Sequence, residues 1–162
     1  LHAGILSAKL KHIDEYNDAR RQWAARYTQG LKDCRTFDLP VELKGYRHVF
    51  HLYVIEVKKP QWRDQLLDYL VKNGVDAKTH YSIAIHQQRG YPWGKKARIV
   101  GSVANAEANA ACCISLPMFP ELTAKEVDYV IAKLKAWDAK YAHLAPAGKG
   151  PAQGGACGCS CK

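Results

Sequence analysis

The chain has 162 residues, 48% of them apolar and 24% charged, which are ordinary values for a single globular domain. A domain of this size buries roughly two-thirds of its unfolded surface, so its core needs no metal or disulfide, and no apolar run approaches the roughly 20 residues of a membrane helix. The net charge of +9 permits attraction to nucleic acid, acidic surfaces or phosphorylated small molecules.

Residues 1 to 31 carry apolar residues at steps of three or four, apart from one seven-residue gap. This period predicts one long amphipathic helix, with Gly30 as a candidate terminator. Its apolar stripe is formed by Leu6, Leu10, Ile13, Tyr16, Trp23, Tyr27 and Leu31. A stripe this long needs a partner surface, and residue 1 falls inside the helix. The pattern therefore predicts a piece of a longer protein.

The clearest predicted strand is 48–57, which is rich in β-branched and aromatic residues and apolar at both parities until Glu56. This composition predicts a central strand that is covered on both faces. His48 and His51 lie three positions apart in the predicted strand and would point to opposite faces. That arrangement argues against joint metal binding by the two imidazoles.

Helices and short strands alternate along the rest of the folded sequence. The predictions are a helix at 62–73, a strand at 75–79, a helix at 102–112 capped by Ser102, a strand at 113–116 and a helix ending near Tyr141. A capping box from Thr123 to Glu126 predicts the start of the last helix. The order predicts an α/β (α+β) fold, a small two-layer domain with helices packed on a small sheet.

From about residue 145 the composition changes to Gly, Pro and Ala, which predicts a folded domain at 1–144 and a flexible tail at 145–162. Three tail thiols, those of Cys157, Cys159 and Cys161, could bind a soft metal. They lack the two-residue gaps and the distant second pair of a structural zinc site, so such a site is not supported. The cysteine pattern does not indicate a disulfide framework, which fits a cytoplasmic protein.

The stretch from His80 to His86 is the main candidate for a functional site. It places two imidazoles and the phenol of Tyr81 within seven residues, at the start of a loop after a predicted strand. Histidines near a strand end are also common as surface or hydrogen-bonded core residues, so spacing alone leaves both interpretations open. A nucleophilic pair of Cys113 with His86 is disfavoured, because an apolar setting raises a thiol pKa.

The densest basic cluster is 89–98, in which Tyr91 and Trp93 lie between lysines and arginines. Such a cluster can stack on nucleotide bases and pair with phosphates, which makes a basic nucleic-acid-binding module the alternative function. A solvated loop with two anchoring aromatic residues explains the same residues more simply. The sequence carries no glycine-rich phosphate loop, zinc-protease motif or serine-nucleophile motif.

Five sequence blocks, in this order, resemble the C-terminal part of the DegT/StrS (DegT/DnrJ/StrS) family of sugar aminotransferases over residues 1 to about 137. They are LHAGILSAKLKHIDEYN, RRQWAARY, HVFHLYVI, NGVDAKTHYSIAIHQQ and ISLPMFPELTAKEVDYV. The resemblance implies the small domain of a fold type I enzyme that depends on pyridoxal 5'-phosphate. Such enzymes work as homodimers and move an amino group from a donor, typically glutamate, to a keto group of a nucleotide-linked sugar.

The resemblance also implies roles for residues of the candidate loop. His86 would line the substrate side of the active site and hydrogen-bond the sugar or its diphosphate, while His80 and Tyr81 would shape the same wall. Ser82 and Ala84 stand where the family often has proline. No lysine here matches the family's cofactor-lysine motif, so no catalytic residue is carried over. The cofactor would be held mainly by a large domain that precedes this sequence, and the isolated chain would have no transaminase activity.

Overall fold

The computed structural model describes residues 1–92 and 97–146. The elements are α1 His2–Leu10, α2 Ile13–Leu31, β1 Phe37–Asp38, β2 Tyr53–Val57, α3 Pro60–Lys72, α4 Ala104–Cys112, β3 Cys113–Leu116 and α5 Ala124–Tyr141, with 3₁₀ helices at Ile85–Gln87 and Ala142–Leu144. The predicted tail from residue 147 onward and part of the basic cluster 89–98 lie outside these ranges. Within the described ranges, no helix combines the length and apolarity needed to cross a membrane.

The sheet has three antiparallel strands in the order β1-β2-β3, which confirms β2 as the central strand. Helices α3 and α4 contact the sheet, and α2 packs against α5. Coverage of both faces of β2 was expected and is only partly seen in the described residues: Tyr53, Ile55 and Val57 are buried, whereas Val54 and Glu56 are half-buried. Alternate strand residues point to opposite faces, so the described part of the chain seals one face of β2 more completely than the other.

Strand β2 begins five residues later than predicted, at Tyr53 instead of His48. Phe50 has a φ of +47°, in the left-handed region that interrupts an extended strand. The segment before the strand forms a turn, which is held by the side chain of Arg21. This side chain donates hydrogen bonds to the carbonyl of His48 at 2.7 Å and to Glu42 at 2.6 Å. His48 and His51 therefore lie in the turn before the strand, and the argument that they point to opposite faces of a strand does not apply.

The single helix predicted for residues 1–31 is divided in the structure. The break falls at residues 11 and 12, where the amide of His12 donates to the carbonyl of Lys9 at 3.0 Å. Helix α1 has no buried residue, and Leu6 and Leu10 are 66% and 68% exposed. The apolar stripe packs inside the described chain only from the middle of α2 onward, so its first half has no partner surface among the described residues.

Helix α5 carries the other side of the core. Its predicted capping box is confirmed: the amide of Glu126 donates to the Thr123 hydroxyl at 3.3 Å, and the Thr123 amide donates to the Glu126 carboxylate at 2.8 Å. The buried face of the helix consists of Val127, Val130, Ile131, Leu134 and Trp137. Helix α5 packs on α2, where Gly30 allows a close approach, since a Cβ built there would lie 2.7 Å from Ile131 Cδ1.

The strand predicted at 75–79 is wrong, because only Lys78 pairs, through a single antiparallel bridge to Ser115. The predicted strand 113–116 is confirmed as β3. Helix α4 begins at Ala104, and the Ser102 hydroxyl accepts a hydrogen bond from the Ala104 amide at 3.3 Å, although Val103 occupies the cap position itself. The 78–80 segment thus lies along the outer side of β3 and leads into the candidate loop.

Candidate substrate-side surface

The candidate loop is anchored to β3 through one serine. The backbone of Ser115 donates to the carbonyl of Lys78 at 2.7 Å and accepts from its amide at 3.1 Å. The hydroxyl of the same serine lies 2.9 Å from Nδ1 of His80. Because Ser115 is buried, these three bonds fix the start of the loop to the interior of the sheet and hold the exposed imidazole of His80 at its surface.

Tyr81 projects away from the chain. The residue is 76% exposed, and its ring meets that of His80 edge-on, with the centroids 5.9 Å apart. Its carbonyl is 3.9 Å from the thiol of Cys113. Ile83 and Ile85 are exposed on the same loop, so the segment presents an aromatic ring and two aliphatic side chains beside an imidazole.

His86 is held by a residue from another part of the chain. It lies in the 3₁₀ helix Ile85–Gln87, and its Nε2 is 2.9 Å from Oε1 of Glu107, in the first turn of α4. The His86 side chain is 12% exposed and that of Glu107 is 46% exposed. The imidazole therefore rests against α4 with one edge open to solvent.

Ser115 and Glu107 are the site residues that the sequence alone did not single out. Ser115 lies inside a strand, and Glu107 lies in a helix that reads as alanine-rich. A signal for Glu107 is present, since it is the only acidic residue between Asp76 and Glu121. The pairing of each imidazole with its partner, 35 positions away for His80 and 21 for His86, follows from the fold.

The three predicted site residues share one exposed loop, although His80 and His86 have separate hydrogen-bond partners. Two surface grooves lie elsewhere. One has a volume of about 390 Å³ and is lined by His48, Val49, His51, Leu52 and Val54. The other, of about 410 Å³, lies between α3 and α5 and is lined by Gln65, Asp68, Tyr69, Lys72, Ala136, Trp137, Lys140 and Tyr141. Tyr81, Ile83 and Ile85 are exposed, so the candidate loop presents an open surface.

The thiols of Cys34 and Cys113 are poorly suited to nucleophilic chemistry. Burial raises the pKa of the Cys113 thiol, as its apolar sequence context predicted, and burial raises that of Cys34 to about 12. A nucleophilic Cys113 paired with His86 therefore remains disfavoured, because the thiolate is the reactive form. Among the described residues, no three or more His, Cys, Asp or Glu side chains are grouped so that they could hold a metal. The tail thiols of Cys157, Cys159 and Cys161 lie outside the described ranges.

The basic cluster is described only in part, because Trp93, Lys95 and Lys96 lie outside the described ranges. Arg89 and Arg98, at its two ends, are exposed. Nucleic-acid binding by this cluster stays a prediction from the sequence.

The surface around the candidate loop does not fit pyridoxal phosphate by itself. A cofactor lysine needs an enclosed amine, and the ring nitrogen of the cofactor needs an acidic partner. Lys78, in the segment that leads into the loop, instead pairs with Asp76 at 2.9 Å, and both side chains are exposed to solvent. The described residues near His80 and His86 therefore include polar side chains but no enclosed lysine that could hold the cofactor.

Comparison with known proteins identifies the family of this chain. Residues 1–135 match the DegT/DnrJ/EryC1/StrS aminotransferase family. A pleiotropic regulatory protein of Geobacillus stearothermophilus is 36% identical over 149 residues, which are 90% of this chain and 37% of that protein. A dTDP-3-amino-3,4,6-trideoxy-alpha-D-glucose transaminase of Streptomyces venezuelae is 31% identical over 137 residues, which are 85% of this chain and 35% of that protein.

The fold is also found among solved structures. The crystal structure of DesV from S. venezuelae, in complex with a ketimine intermediate, matches with a TM-score of 0.75 and 32% identity over 84% of this chain and 35% of that chain. This similarity confirms the predicted fold class. The chain spans little more than a third of the length of the curated relatives that it matches. By its sequence over residues 1–135 and by its fold, the chain belongs to the DegT/DnrJ/EryC1/StrS aminotransferase family.

Proposed function

We propose that residues 1–144 form the small, substrate-side domain of an aminotransferase that acts on a nucleotide-linked keto sugar, with an amino donor such as glutamate. Membership of the family and the transaminase from S. venezuelae support this assignment. The observation that carries it is the candidate loop, in which β3 and α4 hold two imidazoles in place beside an exposed phenol. The tail predicted at residues 145–162 has no assigned role in this proposal.

The role of this domain is to bind and orient the sugar. An imidazole can donate from one ring nitrogen and accept at the other, and a phenol can do both, so His80, Tyr81 and His86 suit the hydroxyl groups of a sugar or the oxygens of its diphosphate. The exposed side chains of Ile83 and Ile85 exclude water from this surface once another domain covers it. The amino-transfer chemistry itself belongs to pyridoxal phosphate and to a lysine in a large domain outside this sequence.

The exposed apolar face of α1 is the docking surface for that large domain and for the second subunit of a homodimer. Ile5, Leu6 and Leu10 are exposed on this helix, and the chain covers only 37% and 35% of two relatives. Residues in the remaining two-thirds of such a protein can bury these side chains, at about 25 cal/mol for each Å² of apolar surface removed from water. The complete enzyme acts in the cytoplasm.

The test is a transamination assay of the complete protein that contains this chain, with glutamate and a set of nucleotide-linked keto sugars. The substitution His86→Ala should raise the KM for the sugar about tenfold, because one hydrogen bond to the substrate is lost. The matched control is His143→Ala, since His143 is exposed in the second 3₁₀ helix, outside the candidate loop. If the complete protein transferred an amino group to none of the sugars, the proposed function would be overturned. Equal KM values for the two variants would show that His86 does not bind the sugar.

A further inference from the structure

Glu107 stands out from its surroundings because it is the only carboxylate between residues 77 and 120. Its Oε1 atom lies 2.9 Å from Nε2 of His86, a distance typical of a charge-assisted hydrogen bond. The imidazole side chain is 12% exposed, while that of the carboxylate is 46% exposed. The contact joins the first turn of α4 to the 3₁₀ helix of the candidate loop, so it sets the orientation of the ring.

The bond also determines what each ring nitrogen can do. An ionised carboxylate only accepts hydrogen bonds, so the hydrogen between the two groups is carried by Nε2 of His86. In the neutral ring Nδ1 is then an acceptor. Nδ1 has no hydrogen-bond partner among the residues that the structure describes, whereas Nδ1 of His80 is already engaged by the hydroxyl of Ser115.

We propose that Glu107 is a positioning residue that holds His86 with Nε2–H against α4 and presents Nδ1 as the acceptor for a sugar hydroxyl. The substrate part of this proposal rests on the proposed function. The proposal favours a sugar hydroxyl over the diphosphate as the group that His86 binds. An acceptor nitrogen can accept the hydrogen of a hydroxyl, whereas the oxygens of a diphosphate have no hydrogen to donate. Glu107 acts through His86 and makes no contact with substrate itself.

A purely structural role for Glu107 is the competing explanation. A carboxylate in the first turn of a helix interacts favourably with the helix dipole, and this interaction would persist without His86. The chain offers a matched control in Glu15, which lies in the first turn of α2 and is 3.3 Å from Nδ1 of His12. Both groups of that pair are exposed, so it shares the residue types and the helix position without the buried imidazole.

The first arm of the test is NMR of the full 162-residue chain labelled with ¹⁵N-histidine, with the His86 signals assigned from a His86→Gln variant. The proposal predicts a slowly exchanging Nε2 proton and an unprotonated Nδ1. That proton signal should disappear in Glu107→Ala, persist in Glu107→Gln, whose amide oxygen still accepts, and remain unchanged in Glu15→Ala. A protonated Nδ1, averaged tautomers in the unmodified chain, or an unaltered signal in Glu107→Ala would overturn the proposal.

The second arm is a double-substitution cycle in the complete protein, with the KM for the sugar as the readout. Glu107→Ala should raise KM about fivefold to tenfold when His86 is present, within the effect of one hydrogen bond, and should change it little in a His86→Ala background. Glu107→Gln should restore most of the loss. Equal effects of Glu107→Ala in both backgrounds would show a structural role. If the complete protein transfers no amino group, the proposed function fails, and the NMR arm alone decides whether Glu107 orients the ring.

Discussion

At the scale of single residues, one aspartate on α5 holds the segment that follows α2 through hydrogen bonds. Oδ1 of Asp138, on α5, accepts hydrogen bonds at 2.8 Å from the amides of Arg35 and Thr36 and from the Thr36 hydroxyl. Thr36 is fully buried, so its amide and hydroxyl have little access to water. Their satisfaction depends on a carboxylate that lies 102 positions away in the chain.

Replacing this aspartate should therefore be costly. We expect Asp138→Ala to lower the free energy of unfolding by about 2–3 kcal/mol, because it leaves buried donors unsatisfied, and Asp138→Asn to lower it less. Urea denaturation measures both effects. Asp128→Ala is the control, since Asp128 pairs with Arg26 on the exposed surface between α5 and α2, where ion pairs contribute little. An equal loss for Asp128→Ala and Asp138→Ala would refute the role given to Asp138.

At the scale of elements, the sequence predicts best where the signal is local. The capping box of α5 and the proline-bounded run of β3 appear in the structure as predicted, because their determinants lie within a few residues. The start of β2 was predicted wrongly, because Phe50 takes a left-handed conformation in a turn held by Arg21 from a distant helix. In the same way, the loop carrying His86 was identifiable from the sequence, but its partner Glu107 was not, since that contact depends on where α4 packs.

The division of the first predicted helix leads to a test at this scale. We expect the double substitution Leu6→Asp and Leu10→Asp to leave the free energy of unfolding of this chain almost unchanged, because both side chains are exposed on α1. Leu134→Ala should lower it by about 2–5 kcal/mol, since Leu134 is fully buried on α5. Thermal denaturation followed by circular dichroism compares the two variants.

The complete protein should respond differently to the same change. There, the aspartates on α1 should weaken the association of the two domains and lower the melting temperature, because the proposed docking face is buried. A large destabilisation of the isolated chain by the α1 substitutions, or none in the complete protein, would be inconsistent with α1 as a docking helix.

At the scale of the whole molecule, three carboxyl groups couple stability to pH. Hydrogen bonds from Arg21, Arg26 and Thr123 lower the pKa of Glu42, Asp128 and Glu126, respectively. A carboxyl whose pKa is lower in the folded chain stabilises the fold above its unfolded pKa, and this stabilisation is lost as the pH falls through the folded value. The ordinary values are 4.5 for glutamate and 3.8 for aspartate.

We therefore expect the contribution of these groups to the free energy of unfolding to be constant near neutral pH. This contribution should decrease as the pH is lowered below about 4.5. Urea midpoints measured between neutral pH and the acid range test this expectation. The triple variant Glu42→Gln, Glu126→Gln and Asp128→Asn should show a shallower decline than the unmodified chain. Identical pH profiles for the two proteins would show that other groups control acid unfolding.

A titration of the 162-residue chain with pyridoxal phosphate tests most directly whether the cofactor lysine lies outside this chain. The titration is followed by the Schiff-base absorbance and by an assay for amino transfer from glutamate. If the chain supplies the substrate-side surface of an enzyme whose cofactor lysine lies elsewhere, it will show no saturable Schiff-base band and no transfer, whereas the complete protein will show both. A saturable band together with amino transfer by the isolated chain would contradict this.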